Sequence, residues 1–323
     1  VGVKRIKSFD LGKNVYLRVQ KTLKSWLLLL LLAGIWGSSF ILMKKGMYTE
    51  NHEIIFDSLQ VGSLRMLIAS SALLPFALRS LRLIKHPKDW LFFITVGCCG
   101  NFFPAFLFTY AETGVSSGYA GMLNSFTPIF TLIIGWLVFK QKLTSIQLTG
   151  AGIGTLGILL LVYTGKHTSQ HAEWKHILSI VLATFLYGIS LNTIKHRLQH
   201  YPSVGISALA FFTIFIPSLI AFFVFGTPNV ISNHPHATEG LTYIAILALI
   251  GTAGAVVLFN VIIRLSSTLF ASSVTYLIPI VAVIIGTYFG EKITFGQLLS
   301  MGVILIGILF ANYGHTLIQR KSS

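Results

Sequence analysis

The polar and aromatic side chains with chemistry to offer come in pairs about 150 positions apart. Trp36 and Tyr187 each precede a glycine, Asn101 pairs with Thr252, and Asn124 and Thr275 each stand four residues before a proline, Pro128 and Pro279. All lie in long apolar stretches, where a hydrogen-bonding group is costly and its retention asks for a reason. Tyr110, Tyr119, Asn192, Asn260 and Tyr276 belong to the same stretches. Aromatic rings with a few oriented amides and hydroxyls are what a pocket needs to hold a small molecule. The competing use of each group is a hydrogen bond between helices. Neither use makes or breaks a covalent bond.

Arg65 is the strongest charge in these stretches. Unpaired at mid-bilayer it would cost about 2.5–3.5 kcal/mol. It is therefore expected either to bond helix carbonyls or a hydroxyl, or to act on an anionic solute or a gating equilibrium. The ten histidines suggest a metal, but His167/His171 and His196/His200 fall at helix ends or in loops, and His234 and His236 flank a proline. No cysteine or carboxylate completes a zinc set. There is no Gly-rich phosphate loop and no Ser-His-Asp order on one face. No metal, no cofactor and no enzymatic activity is expected; an enzyme acting on lipid would need a clustered acid–base or metal set at one membrane face. The adjacent Cys98 and Cys99 are expected to serve as small buried hydrophobes.

The elements that carry these residues follow from composition. Hydrophobic residues make up 54% of the 323 and charged residues 10%, against about a quarter charged in soluble domains. A hydrocarbon span needs roughly 20 apolar residues. Suitable runs occur near 26–47, 54–78, 90–111, 118–139, 144–163, 174–195, 203–226, 240–265, 269–290 and 295–316. The first is preceded by a basic stretch that looks like a leader, yet it continues past Trp36 into a full span and is read as a retained helix.

The runs repeat. Trp36-Gly37-Ser38-Ser39 falls on Tyr187-Gly188-Ile189-Ser190, Lys44 on Lys195, Phe108 on Phe259, Ala120 on Ala271, Pro128 on Pro279, and Ile133-Ile134-Gly135 on Ile284-Ile285-Gly286. After one deleted residue, Lys142 falls on Lys292, Thr144 on Thr294, Gln147-Leu148 on Gln297-Leu298, Gly152 on Gly302, Gly157 on Gly307 and Tyr163 on Tyr313. Each copy holds five runs. An odd number obliges the second copy to enter the membrane upside down, the mark of alternating access around a site near mid-bilayer. The expected fold is an all-α polytopic membrane protein of ten transmembrane helices in two inverted five-helix repeats.

Charge placement orients the chain. With a cytoplasmic start, most of the 24 Lys and Arg residues fall in the tail or after the even runs, among them Arg79, Arg82, Lys85 and Lys88. Glu50, Glu53, Asp57, Glu112, Glu173, Glu239 and Glu291 then face the other side. By the positive-inside rule both termini are cytoplasmic. The net charge of +15 is thus a topology signal suited to anionic lipid, not to nucleic acid. The expected organisation is a basic cytoplasmic segment at 1–25, repeats at 26–163 and 174–316, and a cytoplasmic tail at 317–323.

Several blocks in order resemble a known family. They are Ala33-Gly34-Ile35-Trp36-Gly37-Ser38-Ser39-Phe40, Ser63-Leu64-Arg65-Met66-Leu67, and Gly114-Val115-Ser116-Ser117-Gly118-Tyr119-Ala120 leading to Pro128. Lys142 and the glycines 150, 152, 154 and 157 close the unit, and Ser272-Ser273, Pro279, Glu291-Lys292, Gly302 and Gly307 repeat it. Their order, from about 26 to 316, resembles the drug/metabolite transporter superfamily, specifically its ten-helix members with two EamA-type repeats. Two departures stand out: the acidic residue typical after the fourth helix is replaced by Lys140-Gln141, and Arg65 has no basic counterpart in the seventh run, which reads Ala208-Leu209-Ala210 there.

The resemblance implies a central cavity lined by helices 1, 3, 4, 6, 8 and 9, a small organic substrate, and export across the cell inner (plasma) membrane. The expected function is a secondary transporter of an amino acid or related metabolite. The alternatives are an importer or exchanger of a nucleotide-like metabolite and a membrane-embedded lipid-modifying enzyme. Membrane lipid and the substrate are the expected partners, with the chain acting as monomer or homodimer. Glu112 lies at a run's end and Glu291 in a loop, so the bilayer core lacks an acidic relay, which favours facilitated transport or exchange over proton antiport. Pro128 and Pro279 are expected to shape or hinge their helices.

Overall fold

The computed structural model describes residues 4–165, 173–266, 270–271 and 273–321. Among the described residues ten main helices order the chain: α1 (Lys4–Met47), α2 (Ser58–Ser80), α3 (Asp89–Glu112), α4 (Ser117–Leu137), α5 (Ser145–Gly165), α6 (Trp174–Leu198), α7 (Ser203–Val224), α8 (Ala237–Leu265), α9 (Val274–Tyr288) and α10 (Phe295–Lys321). Among the described residues, eight helices are long and apolar enough to cross a membrane, while α9 and the stretch Phe295–Ala311 of α10 are shorter apolar helices. Large apolar side chains such as Leu91, Leu156, Phe223 and Leu299 are more than half exposed, as a hydrocarbon surround allows. The chain is an all-α polytopic membrane protein.

Local chemistry starts the helices where the sequence changes character. Asp57 and Gln60 form a reciprocal capping box on α2, with Gln60 N–H donating to Asp57 Oδ1 at 2.8 Å and Asp57 N–H to Gln60 Oε1 at 3.0 Å. The repeat pairs Thr144/Gln147 and Thr294/Gln297 prove to be boxes of the same kind. Thr144 and Thr294 N–H donate to Gln147 and Gln297 Oε1 at 3.0 and 2.9 Å, opening α5 and α10. At the start of α3, buried Asp89 accepts the Tyr201 hydroxyl at 2.5 Å. Burial and that bond push the Tyr201 phenol up, so it remains a donor.

Two boundaries differ from expectation. The basic segment read as separate from the first span is continuous with it, because α1 runs 44 residues without a break from Lys4. The polar connection after α7 contains a short helix, Thr227–Asn233, with Pro228 in its first turn, where its missing N–H costs nothing.

The two five-helix units interlock. α1 packs on α8 and α9 of the other unit, and α6 packs reciprocally on α3 and α4. α2 pairs with α7 and α5 with α10. Glycine sets the distance at these crossings. A Cβ on Gly37 would stand 2.5 Å from Val281 Cγ1 of α9, and one on its mate Gly188 would stand 3.0 Å from the Phe130 carbonyl carbon of α4.

Two irregular turns recur at equivalent depth, and hydrophobic periodicity does not show them. α3 contains a π turn at Cys98–Phe102 and α8 one at Leu249–Gly254. Such single-turn insertions concentrate at functional sites. Cys98 and Cys99 lie in the first of these and are half-buried, not fully buried as expected.

Candidate functional site

The π turns carry Asn101 and Thr252. Each side chain returns to a carbonyl five positions back: Asn101 Nδ2 donates to Val96 O at 3.4 Å, and Thr252 Oγ1 to Leu247 O at 3.0 Å. Thr252 also accepts Arg65 Nε at 3.1 Å. A side chain of the first unit is thereby tied to a π turn of the second. Arg65 Nη1 contacts Met43 Sδ at 3.5 Å. A guanidinium has five N–H donors, and among the described residues no carboxylate lies within ion-pair distance of it. Arg65 and Tyr187 are set deep in the bundle yet keep some accessible surface, and both Tyr187 and the Glu112 carboxylate lie within electrostatic reach of the guanidinium.

Two aromatic pairs mirror each other between the repeats. Trp36 of α1 meets Phe259 of α8 with ring centroids 5.7 Å apart, and its mate Tyr187 of α6 stacks on Phe108 of α3 at 6.0 Å. Phe108 and Phe259 are themselves repeat mates. Phe40 closes on Phe108 edge-on at 5.9 Å. The structure therefore brings Trp36, Tyr187, Asn101, Thr252 and Arg65 onto the helices that join the two units.

Asn124 sits at a break in α4. Pro128 lacks the N–H that would bond the Asn124 carbonyl, which instead accepts from Thr127 N–H at 3.1 Å. Asn124 Oδ1 accepts the Thr127 hydroxyl at 3.4 Å. Thr275 and Tyr276 lie in the first turn of α9, ahead of buried Pro279, and Tyr276 donates to Ile308 O of α10 at 3.4 Å. Asn260 bonds Val256 O within its own helix at 2.8 Å. Asn192 is buried and fully engaged, donating to Thr131 O and Gly188 O and accepting from Gln141 Nε2. Tyr110 is partly exposed and stacks on His176 at 5.1 Å. Tyr119 is 1% exposed and donates to Leu161 O of α5 at 3.2 Å. Tyr119→Phe is expected to cost about 1 kcal/mol of stability and to leave any solute flux unchanged, read by thermal unfolding in detergent beside a flux assay.

The carboxylates at the helix ends are more enclosed than their position alone suggests. Glu112 is 1% exposed, with Oε2 3.4 Å from Ser117 Oγ and Oε1 without a partner among the described residues. The Glu291 side chain is 9% exposed and lies 3.4 Å from Lys44 Nζ. Both stand where the sequence put them, Glu112 at a helix end and Glu291 in a connection, and the α9–α10 connection folds back so that Glu291 bonds the start of α4. His167 and His171 lie outside the described residues, and among the described residues no three His, Cys, Asp or Glu side chains converge on a metal position. Pairing the aromatic mates was possible from the repeat alignment, since Phe108 and Phe259 already matched there. Met43 and Glu112 carried no such signal.

Comparison with known proteins supplies the lineage. The sequence profile of the EamA-like transporter family matches twice, over residues 24–163 and 174–313. The transporter YdfC of Bacillus subtilis (strain 168) is 29% identical over 288 residues, covering 86% of this chain and 87% of that protein. A Salmonella typhimurium (strain LT2) protein named "Probable amino-acid metabolite efflux pump" is 24% identical over 302 residues, 90% and 95% of the two chains. The inner membrane transporter YedA of Escherichia coli (strain K12) is 25% identical over 289 residues, 89% and 90%.

Proposed function

Because the chain belongs to the EamA-like transporter family, we propose that it is a secondary transporter that exports an amino acid or closely related metabolite by alternating access between its two repeats. The observation that carries this reading is Arg65. A guanidinium deep in an apolar bundle is held by Thr252 of the opposite repeat; among the described residues no carboxylate lies within ion-pair distance, and Glu112 acts on it only from farther off. A solute carboxylate would bring a negative charge to contact distance and accept a forked pair of hydrogen bonds. The Trp36–Phe259 and Tyr187–Phe108 pairs would wall the site and Asn101 and Asn124 would orient the solute. A single guanidinium suits one carboxylate better than the several charges of a nucleotide.

Substrate, direction and membrane rest on further support. The Salmonella relative's name favours amino-acid metabolites and efflux, and the Escherichia coli relative's favours the inner membrane. The bias of Lys and Arg supports cytoplasmic termini. We place the repeats at 26–163 and 174–316.

The test is a metabolite comparison inside and outside cells with and without expression, controlled by an Asn124→Ala, Tyr187→Ala variant inserted at equal level. A carboxylate-bearing compound class exported by the wild type and reduced at least about tenfold in the variant is the expected result, from the loss of two direct contacts. Equal export by both would remove these residues from the site, and no export after verified insertion would count against the function.

A further inference from the structure

The correspondence that pairs Lys44 with Lys195 also pairs Glu291 with Gln141, and both pairs are joined in the same way. Lys44 Nζ approaches Glu291 Oε1 at 3.4 Å, and Lys195 Nζ approaches Gln141 Oε1 at 3.3 Å. Each acceptor follows a residue with left-handed backbone, Gly290 at φ 85° and Lys140 at φ 53°. Each returns its own N–H to the preceding helix, Glu291 to Gly286 O at 2.9 Å and Gln141 to Gly135 O at 3.0 Å. With five helices in each repeat, the two clusters stand at opposite ends of the bundle.

What each acceptor reaches is the other repeat. Glu291 takes the first free N–H groups of α4, Ser117 N–H on Oε1 at 2.7 Å and Gly118 N–H on Oε2 at 2.8 Å. A carboxylate on a helix N-terminus is favoured by both the free donors and the helix dipole. Gly286 leaves it room, since a Cβ there would stand 2.4 Å from Oε2. At the other end Gln141 Nε2 donates to Asn192 Oδ1 at 3.0 Å and meets His196 Nε2 at 2.6 Å. One end carries a charged acceptor on a helix terminus, the other a neutral amide among side chains of α6.

We propose that Glu291 and Gln141 are the paired latches of the transport cycle, each holding one end of the inter-repeat space closed and releasing when that end opens. This deepens the alternating-access reading and rests on it. The charged latch is the stronger, so the resting chain is closed at the Lys44 end and opens there only after a solute has made up the lost contacts. Glu291→Gln keeps the shape, removes the charge and turns one acceptor into a donor facing an N–H.

Two readouts test it in reconstituted protein with Cys98 and Cys99 replaced by alanine. Ser117, 1% exposed under the Glu291 carboxylate, is replaced by cysteine and labelled with a membrane-impermeant maleimide in vesicles of both orientations. Glu291→Gln is expected to raise its labelling rate about tenfold, from one orientation only. An unchanged rate overturns the latch, and since this readout needs no substrate, a raised rate without flux would instead count against the transport reading. In the second, Ser117→Cys with Glu291→Cys, or Gln141→Cys with Lys195→Cys, is bridged by a short reducible bifunctional thiol reagent. Flux is expected to stop on bridging either pair and return on reduction. Full bridging with undiminished flux would mean that these contacts never open, and would sink the proposal.

Discussion

Replacing Arg65 by glutamine is expected to lower flux of a carboxylate-bearing substrate about 100-fold while the chain still inserts and folds. A hydrogen bond to a charged group contributes about 1.5–3 kcal/mol, and a forked guanidinium–carboxylate pair makes two. Loss at the upper end of that range is about two decades of affinity or rate. Folding should survive because the guanidinium's protein contacts are few: a hydroxyl of Thr252 at 3.1 Å and a thioether of Met43 at 3.5 Å. Glutamine can keep the first of these and removes an expensive buried charge. Arg65→Lys separates charge from geometry. Lysine preserves the cation but not the fork, so it should recover only part of the flux. Flux retained at wild-type level in Arg65→Gln would leave the cation a structural one.

The second large effect concerns the joint between the last helices of the two repeats. Gly307→Leu is expected to destabilise the protein by about 3 kcal/mol, the upper end for overpacking a filled core. A Cβ at Gly307 would stand 2.3 Å from Gly154 N, 2.6 Å from Gly154 Cα and 2.7 Å from Gly150 O. These neighbours are backbone, so relief requires α5 and α10 to separate. The same chain contains its own control. Gly152 and Gly302 are also repeat mates, but a Cβ on either meets nothing within 4 Å. Gly152→Ala and Gly302→Ala should therefore be neutral or mildly stabilising, since alanine favours the helix. Thermal unfolding in detergent separates the two classes.

These glycines show where sequence reading reached its limit. Gly152/Gly302 and Gly157/Gly307 matched equally well between repeats, and in water hydrophobic periodicity would have told the packed face from the exposed one. In a bilayer both faces are apolar, so a helix's inward side leaves little trace in composition. Number, order and inversion of the helices were legible because they depend on run length and on the odd count per repeat. The Thr144/Gln147 and Thr294/Gln297 spacings were legible as correspondences and became capping boxes once the helices were placed. The π turns that put Asn101 and Thr252 at equivalent depth were not legible, because one inserted residue per turn leaves the apolar run unbroken. Burial of Glu112 and Glu291 was not legible either, since it depends on how the connection after α9 folds back across α4.

The most direct measurement is solute counterflow in proteoliposomes containing only this protein, using an amino acid identified from the metabolite comparison and its carboxamide. If the Arg65 site holds the solute through its carboxylate, the acid should exchange and the amide should exchange at least about tenfold more slowly, the scale of one charge-assisted bond. Equal exchange of both would contradict the assignment of Arg65 as the solute's anchor, and exchange of neither would contradict amino-acid transport by this chain.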